Sequence, residues 1–194
     1  MKLYLASTSP RRYELLSTLN IPFEVIPPTF EEKQTLLPAD EEALYFSEQK
    51  AKSVAPLCPN ALILASDTLI DCEGAKLGKP NDPEEARRML RLLSGKTHFL
   101  YTAVVLFNTQ DQSLKKHLEK VEVTFHTLSD TEIQDYVVSG ESLGKAGAYA
   151  IQGKGSVLIE KIAGDRDAVI GLPLEPIRRW LKNVSISDIF TDNR

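Results

Sequence analysis

The run Ala61-Leu62-Ile63-Leu64-Ala65, five apolar residues leading into Ser66-Asp67-Thr68, constrains this chain more than any other stretch. A β-rich segment without polar alternation belongs to a strand covered on both faces, so layers must lie above and below it. The flanking sequence supplies those layers. Lys2–Ala6 is a short buried strand, followed by Ser7-Thr8-Ser9-Pro10 and a helix through about Leu19, with Leu15, Leu16 and Leu19 as its apolar stripe. Phe23–Ile26 reads as a strand closed by Pro27-Pro28, and Asp40 as the cap of a helix carrying Ala43, Leu44, Phe46, Ala51 and Val54.

Further on, Asp82 caps a helix with Pro83 in its first position and Glu85 placed to close a capping box; Ser94-Gly95 stops it. Thr97–Asn108 and Leu114–His126 predict two long strands about a polar turn. Ser129-Asp130-Thr131-Glu132 is a second capping box, opening a helix to about Val138. A strand over Val157–Ile162 and a last helix from near Pro173 past Trp180 complete the reading. Strands and helices interleave without a repeat or a linker, so the expectation is an α/β fold with a mixed sheet, one domain over residues 1–194.

Charge narrows the function classes. Lys and Arg number 23 against 27 Asp and Glu, a net charge of −4 that argues against general nucleic-acid binding. No apolar run approaches the ~18 residues of a membrane span. Leu3–Ala6 running straight into Ser9-Pro10-Arg11-Arg12 reverses the order of a signal peptide, so a cytoplasmic protein is expected. Cys58 and Cys72 lack CxxC spacing and read as reduced thiols, and the three histidines show no spacing that would bind zinc.

Four segments have chemistry to offer. Ser9 is a natural N-cap with Pro10 behind it, and the positive end of such a helix, carrying Arg11 and Arg12 on its first turn, forms an anion site. Cations oppose the dipole there, which suggests an anion that offsets the conflict. Asp67, held by a buried strand at the rim of the sheet, is suited to bind a divalent cation or act as a general base, or simply to start a turn. Lys50, Lys52 and Lys79 gain interest only if they share a cleft with Arg11 and Arg12; Glu31-Glu32 follows a proline turn. Gln152, in the small-residue stretch Lys145–Gly153, has one donor and one acceptor to offer a base edge, unless the stretch is only a tight connection.

In order along residues 3 to about 175, the segments STSPRR (Ser7–Arg12), Glu31-Glu32, Gln49-Lys50-Ala51, Ser66-Asp67-Thr68, Gly78-Lys79-Pro80, Leu93–His98, KAGAYAIQG (Lys145–Gly153) and GLPL (Gly171–Leu174) resemble the Maf family of nucleoside triphosphate pyrophosphatases. The resemblance implies a two-lobed α/β fold on a long curved mixed sheet, with an active-site cleft between lobes, and commonly a homodimer. It implies hydrolysis of a nucleoside triphosphate to the monophosphate and pyrophosphate, dependent on Mg²⁺ or Mn²⁺. Asp67 matches the catalytic aspartate, and Arg11, Thr68 and Gln152 match residues that mark the branch acting on dTTP and UTP. The sister branch, which prefers 7-methyl-GTP, has other residues at those positions. Asp165-Arg166-Asp167 departs from the dTTP/UTP pattern and is similar to that sister branch.

The expected arrangement seats the triphosphate on the helix start at Ser9, gripped by Arg11 or Arg12 with Lys50 and Lys79 nearby. Asp67 and Glu32 would hold the cation, and Asp67 would position or deprotonate the attacking water. The alternatives are an enzyme of the 7-methyl-GTP branch and a nucleotide-binding regulator of septation with little catalysis.

Overall fold

The computed structural model describes residues 1–33 and 35–186. Among them, seven strands form one mixed sheet in the order β2-β1-β3-β5-β6-β7, with β4 paired to β3. The strands are β1 (Lys2–Ala6), β2 (Glu24–Val25), β3 (Ala61–Cys72), β4 (Ala75–Leu77), β5 (Thr97–Asn108), β6 (Leu114–Phe125) and β7 (Ile159–Ala163). The helices are α1 (Pro10–Ser17), α2 (Ala39–Val54), α3 (Pro83–Leu93), α4 (Asp130–Val138), α5 (Arg166–Ile170) and α6 (Leu174–Leu181). β1 runs parallel to both β2 and β3, whereas β4 and β7 are antiparallel to β3 and β6. No helix of the described residues is long and apolar enough to cross a membrane.

The chain forms two compact units. The first comprises Met1–Asp67, Thr102–Glu119 and the chain from Gly171 onward; the second comprises Thr68–Tyr101 and Lys120–Ile170. In the first unit the apolar run behaves as its composition demands. Leu62 and Leu64 of β3 point into a core with Leu16 of α1 and Ile177 and Leu181 of α6. Ala61, Ile63 and Ala65 point the other way, into a core with Ala51 and Val54 of α2. The second unit has one core, formed by Ile70, Cys72, Leu100, Val123 and Phe125 of the strands against Met89, Leu90 and Leu93 of α3 and Ile133 and Val137 of α4.

Three local expectations need correction. Helix α2 begins at Ala39 with Pro38 in the N-cap position, so Asp40 lies inside the first turn beside Glu41 and Glu42 and favours the helix through the dipole rather than by capping. Asp82 does cap α3, accepting from the Glu85 amide at 2.8 Å, but Glu85 turns its carboxylate to the backbone and side-chain amides of Asn81, one residue short of a capping box. Residues Gly153–Leu158 wind as a short 3₁₀ segment, delaying β7 to Ile159. The capping box at Ser129 forms as read, with Glu132 closing on the Ser129 amide at 2.7 Å. The Asp165-Arg166-Asp167 stretch opens the five-residue helix α5, with the Asp167 amide donating to the Asp165 carboxylate at 2.9 Å.

Both cysteines are fully buried and unpaired, and burial pushes each thiol pKa up. His98 on β5 is also fully buried, edge-on to Phe125, with Nε2 hydrogen-bonded to the Tyr149 hydroxyl at 2.8 Å and Nδ1 unpartnered. Burial lowers its pKa to about 4 from 6.5. Between those values the unfolded chain binds a proton that the folded chain refuses, so stability falls as pH drops through this window. Relative to His98→Gln, the protein should lose about 2 kcal/mol more stability between pH 7 and pH 5, read from urea unfolding. Parallel losses in the two proteins would rule out a buried neutral imidazole.

Candidate active site

The polypeptide leaves β1 at Ala6 and enters α1 through Ser9, whose extended backbone (φ −81°, ψ 116°) and following proline make an orderly helix start. The Ser9 side chain forms no cap; instead its amide donates to Ser7 Oγ at 3.0 Å. With no acidic residue in the first turn, no carboxylate of that turn offsets the positive end of α1. Arg12 leans back from that turn, and its Nε donates to the Gly171 carbonyl at 2.9 Å. Ser66 shares its hydroxyl proton between the same carbonyl (2.9 Å) and that of Ala103 (2.7 Å). The residue next to Ser66 is Asp67, so this buried tie runs from the arginine to the candidate catalytic strand.

Lys50 rises from α2 and is almost wholly buried. Its Nζ lies 2.6 Å from Glu32 Oε1 and also donates to an Asp67 carboxylate oxygen. Both Lys50 and Asp67 have side chains only 5% exposed, against 33% for Glu32, so water screens one carboxylate and not the other. Burial raises the Asp67 pKa above the usual carboxylate range; Lys50 and Arg12 oppose that shift and Glu32 adds to it. Arg12 experiences the mirror image. Burial lowers its pKa, while Asp67 and Glu32 favour its charged form. Two cations and two anions therefore interact in one small volume.

The first unit thus assembles Arg12, Glu32, Lys50 and Asp67, with Ser9 and Arg11 on the same helix start as Arg12. Thr68, Lys79 and Gln152 belong to the second unit. Thr68 is half-buried on β3, and Lys79 is exposed in the loop after β4. The carbonyl of Gly78, next to Lys79, accepts from the Gly147 amide at 3.0 Å, which ties the lysine loop to the KAGAYAIQG segment. Gln152 is exposed at the start of the 3₁₀ segment. Lys52, by contrast, faces solvent and pairs with Glu48 at 2.6 Å. The Gly171 carbonyl and the Ser66 hydroxyl were not singled out from sequence. Both lie in segments that carried the family resemblance, but a carbonyl offers no side-chain signature and a serine beside an aspartate reads as filler.

Two hard carboxylate oxygens converging on the Lys50 ammonium is an arrangement that a cation selects. Among the described residues no group of three or more His, Cys, Asp or Glu is placed to hold a metal. Asp67 and Glu32 present hard oxygen donors of the kind that Mg²⁺ or Mn²⁺ takes, one or two carboxylates with the shell completed by other oxygens.

The chain matches a family model described as Maf-like protein over residues 2–184. It is 46% identical over 182 residues to a dTTP/UTP pyrophosphatase of Carboxydothermus hydrogenoformans, covering 94% of this chain and 98% of that protein. It is 45% identical to a dTTP/UTP pyrophosphatase of Bacillus velezensis, covering 95% of this chain and 97% of that one. Among solved structures, a nucleoside-triphosphatase (dITP/XTP pyrophosphatase) from Mycobacterium abscessus aligns over 94% of both chains at 12% identity with a TM-score of 0.47.

Proposed function

The chain belongs to the Maf-like protein family, and from that premise we propose that it hydrolyses dTTP and UTP to the monophosphate and pyrophosphate. The observation that carries the reading is Lys50, whose ammonium joins Glu32 to a buried Asp67 beside Arg12. A carboxylate whose pKa is raised by burial is a better base than an ordinary one, because its basicity lies nearer the working pH.

In this mechanism Asp67 orients a water molecule and accepts its proton as the oxygen attacks the α-phosphorus. The bond from that phosphorus to the bridging oxygen breaks, and pyrophosphate leaves with the electron pair. Arg12, fixed from behind through Nε, turns its terminal nitrogens to phosphate oxygens, and the start of α1 at Ser9 with Arg11 adds N–H donors and charge. Lys50 holds Asp67 in place, and Lys79 contributes a further cation to the departing group. Positioning and electrostatics carry most of the rate.

The charge balance supports dependence on a divalent cation. Arg12 and Lys50 offset Asp67 and Glu32, so the four groups leave no positive surplus for a triphosphate. Mg²⁺ or Mn²⁺, when bound by Asp67 and Glu32, supplies that surplus and screens the developing charge. Gln152 addresses the base: its amide presents one donor and one acceptor to the O4 and N3–H edge that thymine and uracil share, and cytosine presents the reverse. Thr68 belongs to the same selection, on the strength of the family pattern. A homodimer and a cytoplasmic location complete the proposal, the latter in keeping with two unpaired buried cysteines.

Pyrophosphate release from dTTP, UTP, CTP, GTP and 7-methyl-GTP, each with Mg²⁺ and Mn²⁺, tests this. Release is expected from dTTP and UTP, and in ¹⁸O-water the label should enter the monophosphate, the signature of attack at the α-phosphorus. Turnover of 7-methyl-GTP alone would move the protein to the sister branch. Saturable binding without pyrophosphate release would make it a regulator.

A further inference from the structure

We propose that Glu141 is a positioning residue for base selection, acting through Gln152; the inference rests on the reading above that Gln152 addresses the base. Gln152 is an exposed side chain in a segment with two nearby glycines, Gly153 and Gly155. Such a segment is intrinsically loose, and a side-chain amide distinguishes donor from acceptor only if the backbone beneath it is held.

One element holds it on both sides. Before Gln152, the Ala150 amide donates to the Tyr136 hydroxyl at 3.1 Å, and Tyr136 is a buried residue of α4. After Gln152, the Glu141 carboxylate, three residues beyond the end of α4, accepts the Lys154 amide on Oε1 at 3.1 Å and the Gly155 amide on Oε2 at 3.3 Å. Both glycines are required by this grip. A Cβ on Gly153, whose φ is +79°, would lie 2.8 Å from Glu141 Oε1. A Cβ on Gly155 would lie 2.1 Å from the Ala150 carbonyl oxygen and 2.9 Å from the Tyr136 hydroxyl. The backbone is therefore folded onto α4 and its following turn, and Gln152 stands at the crest between two anchors.

Loss of the Glu141 carboxylate frees the anchor after Gln152 while Tyr136 keeps the one before it. Arg12, Lys50 and Asp67 belong to the other compact unit of the chain. The effect of losing Glu141 should accordingly fall on discrimination between bases rather than on the rate of phosphoryl chemistry.

The test is kcat/KM for UTP and CTP with the wild-type protein, Glu141→Ala, Glu141→Gln, Gln152→Ala and the double variant Glu141→Ala/Gln152→Ala. Glu141→Ala should lower the UTP-to-CTP ratio about tenfold, the scale of one charge-assisted hydrogen bond, with kcat for UTP nearly unchanged. Glu141→Gln, which keeps one carbonyl acceptor, should fall between, and it serves if the alanine variant does not fold. The double variant should discriminate no worse than Gln152→Ala alone. An equal loss on both substrates would make Glu141 merely structural and overturn the inference, as would a further loss of discrimination in the double variant. If Gln152→Ala itself leaves the ratio unchanged, the reading of Gln152 fails, and this inference with it.

Discussion

Asp67→Asn lowers pyrophosphate release by at least ~10²-fold, the low end for loss of a general base, and leaves the fold intact. The two parts of this expectation have separate physical causes. Asparagine keeps the shape of the side chain and an acceptor oxygen for Lys50, but it does not take a proton from water. Stability follows from the direction of the pKa shift. A carboxyl whose pKa is raised in the folded protein loses its proton more readily when unfolded, so at neutral pH its charge opposes folding. Removing that charge should keep the melting temperature at or above the wild-type value, even as turnover disappears. The pH–rate profile should carry the sign of a general base: kcat/KM falls as pH drops and Asp67 takes up a proton. Near-normal turnover by Asp67→Asn would remove Asp67 from its role as base.

Lys50→Met should have the opposite profile, with fold and activity failing together. Methionine has roughly the volume of lysine and none of its charge, so Asp67 is left buried with its nearest cation gone. Breaking a buried pair by removing one partner costs about 3 kcal/mol or more. Arg12 offsets part of this through its interaction with Asp67, and the exposure of Glu32 lets water take up the other freed carboxylate. The diagnostic measurement is the double variant Lys50→Met/Asp67→Asn. Because the penalty lies in an unpaired charge, it should recover most of the lost stability in urea unfolding while remaining inactive. Additive losses would place the effect of Lys50 in packing instead.

Much of this arrangement was legible in the sequence where a residue type has one dominant physical use. The unalternating run at Ala61 forecast a strand covered on both faces, and Leu62 and Ile63 occupy opposite cores. Ser129 with Glu132 forecast a capping box and formed one. Legibility failed where two uses compete. Asp40 is as good an occupant of a first turn as of a cap, and Pro38 with Ala39 decided the matter two residues earlier. Glu85 had Asn81 within reach as well as Asp82, and two amide donors outweighed one. In the site, sequence singled out Arg11 and Arg12 together, but only tertiary structure distinguishes them, because the acceptor of Arg12 Nε is a backbone carbonyl 159 residues away. The pairing of Lys50 with Glu32 and Asp67 was invisible for the same reason: it depends on how α2 lies against β3, not on any local pattern.

The two buried thiols make this protein convenient for spectroscopy. Cys58 and Cys72 are shielded from reagents and, with raised pKa values, carry little thiolate at neutral pH. A single cysteine introduced at an exposed position such as Lys154, beside the Gln152 loop, would be the one that reacts with a maleimide dye, with no native cysteine to remove first. Fluorescence from that position would report changes in the surroundings of the loop as different nucleotides arrive.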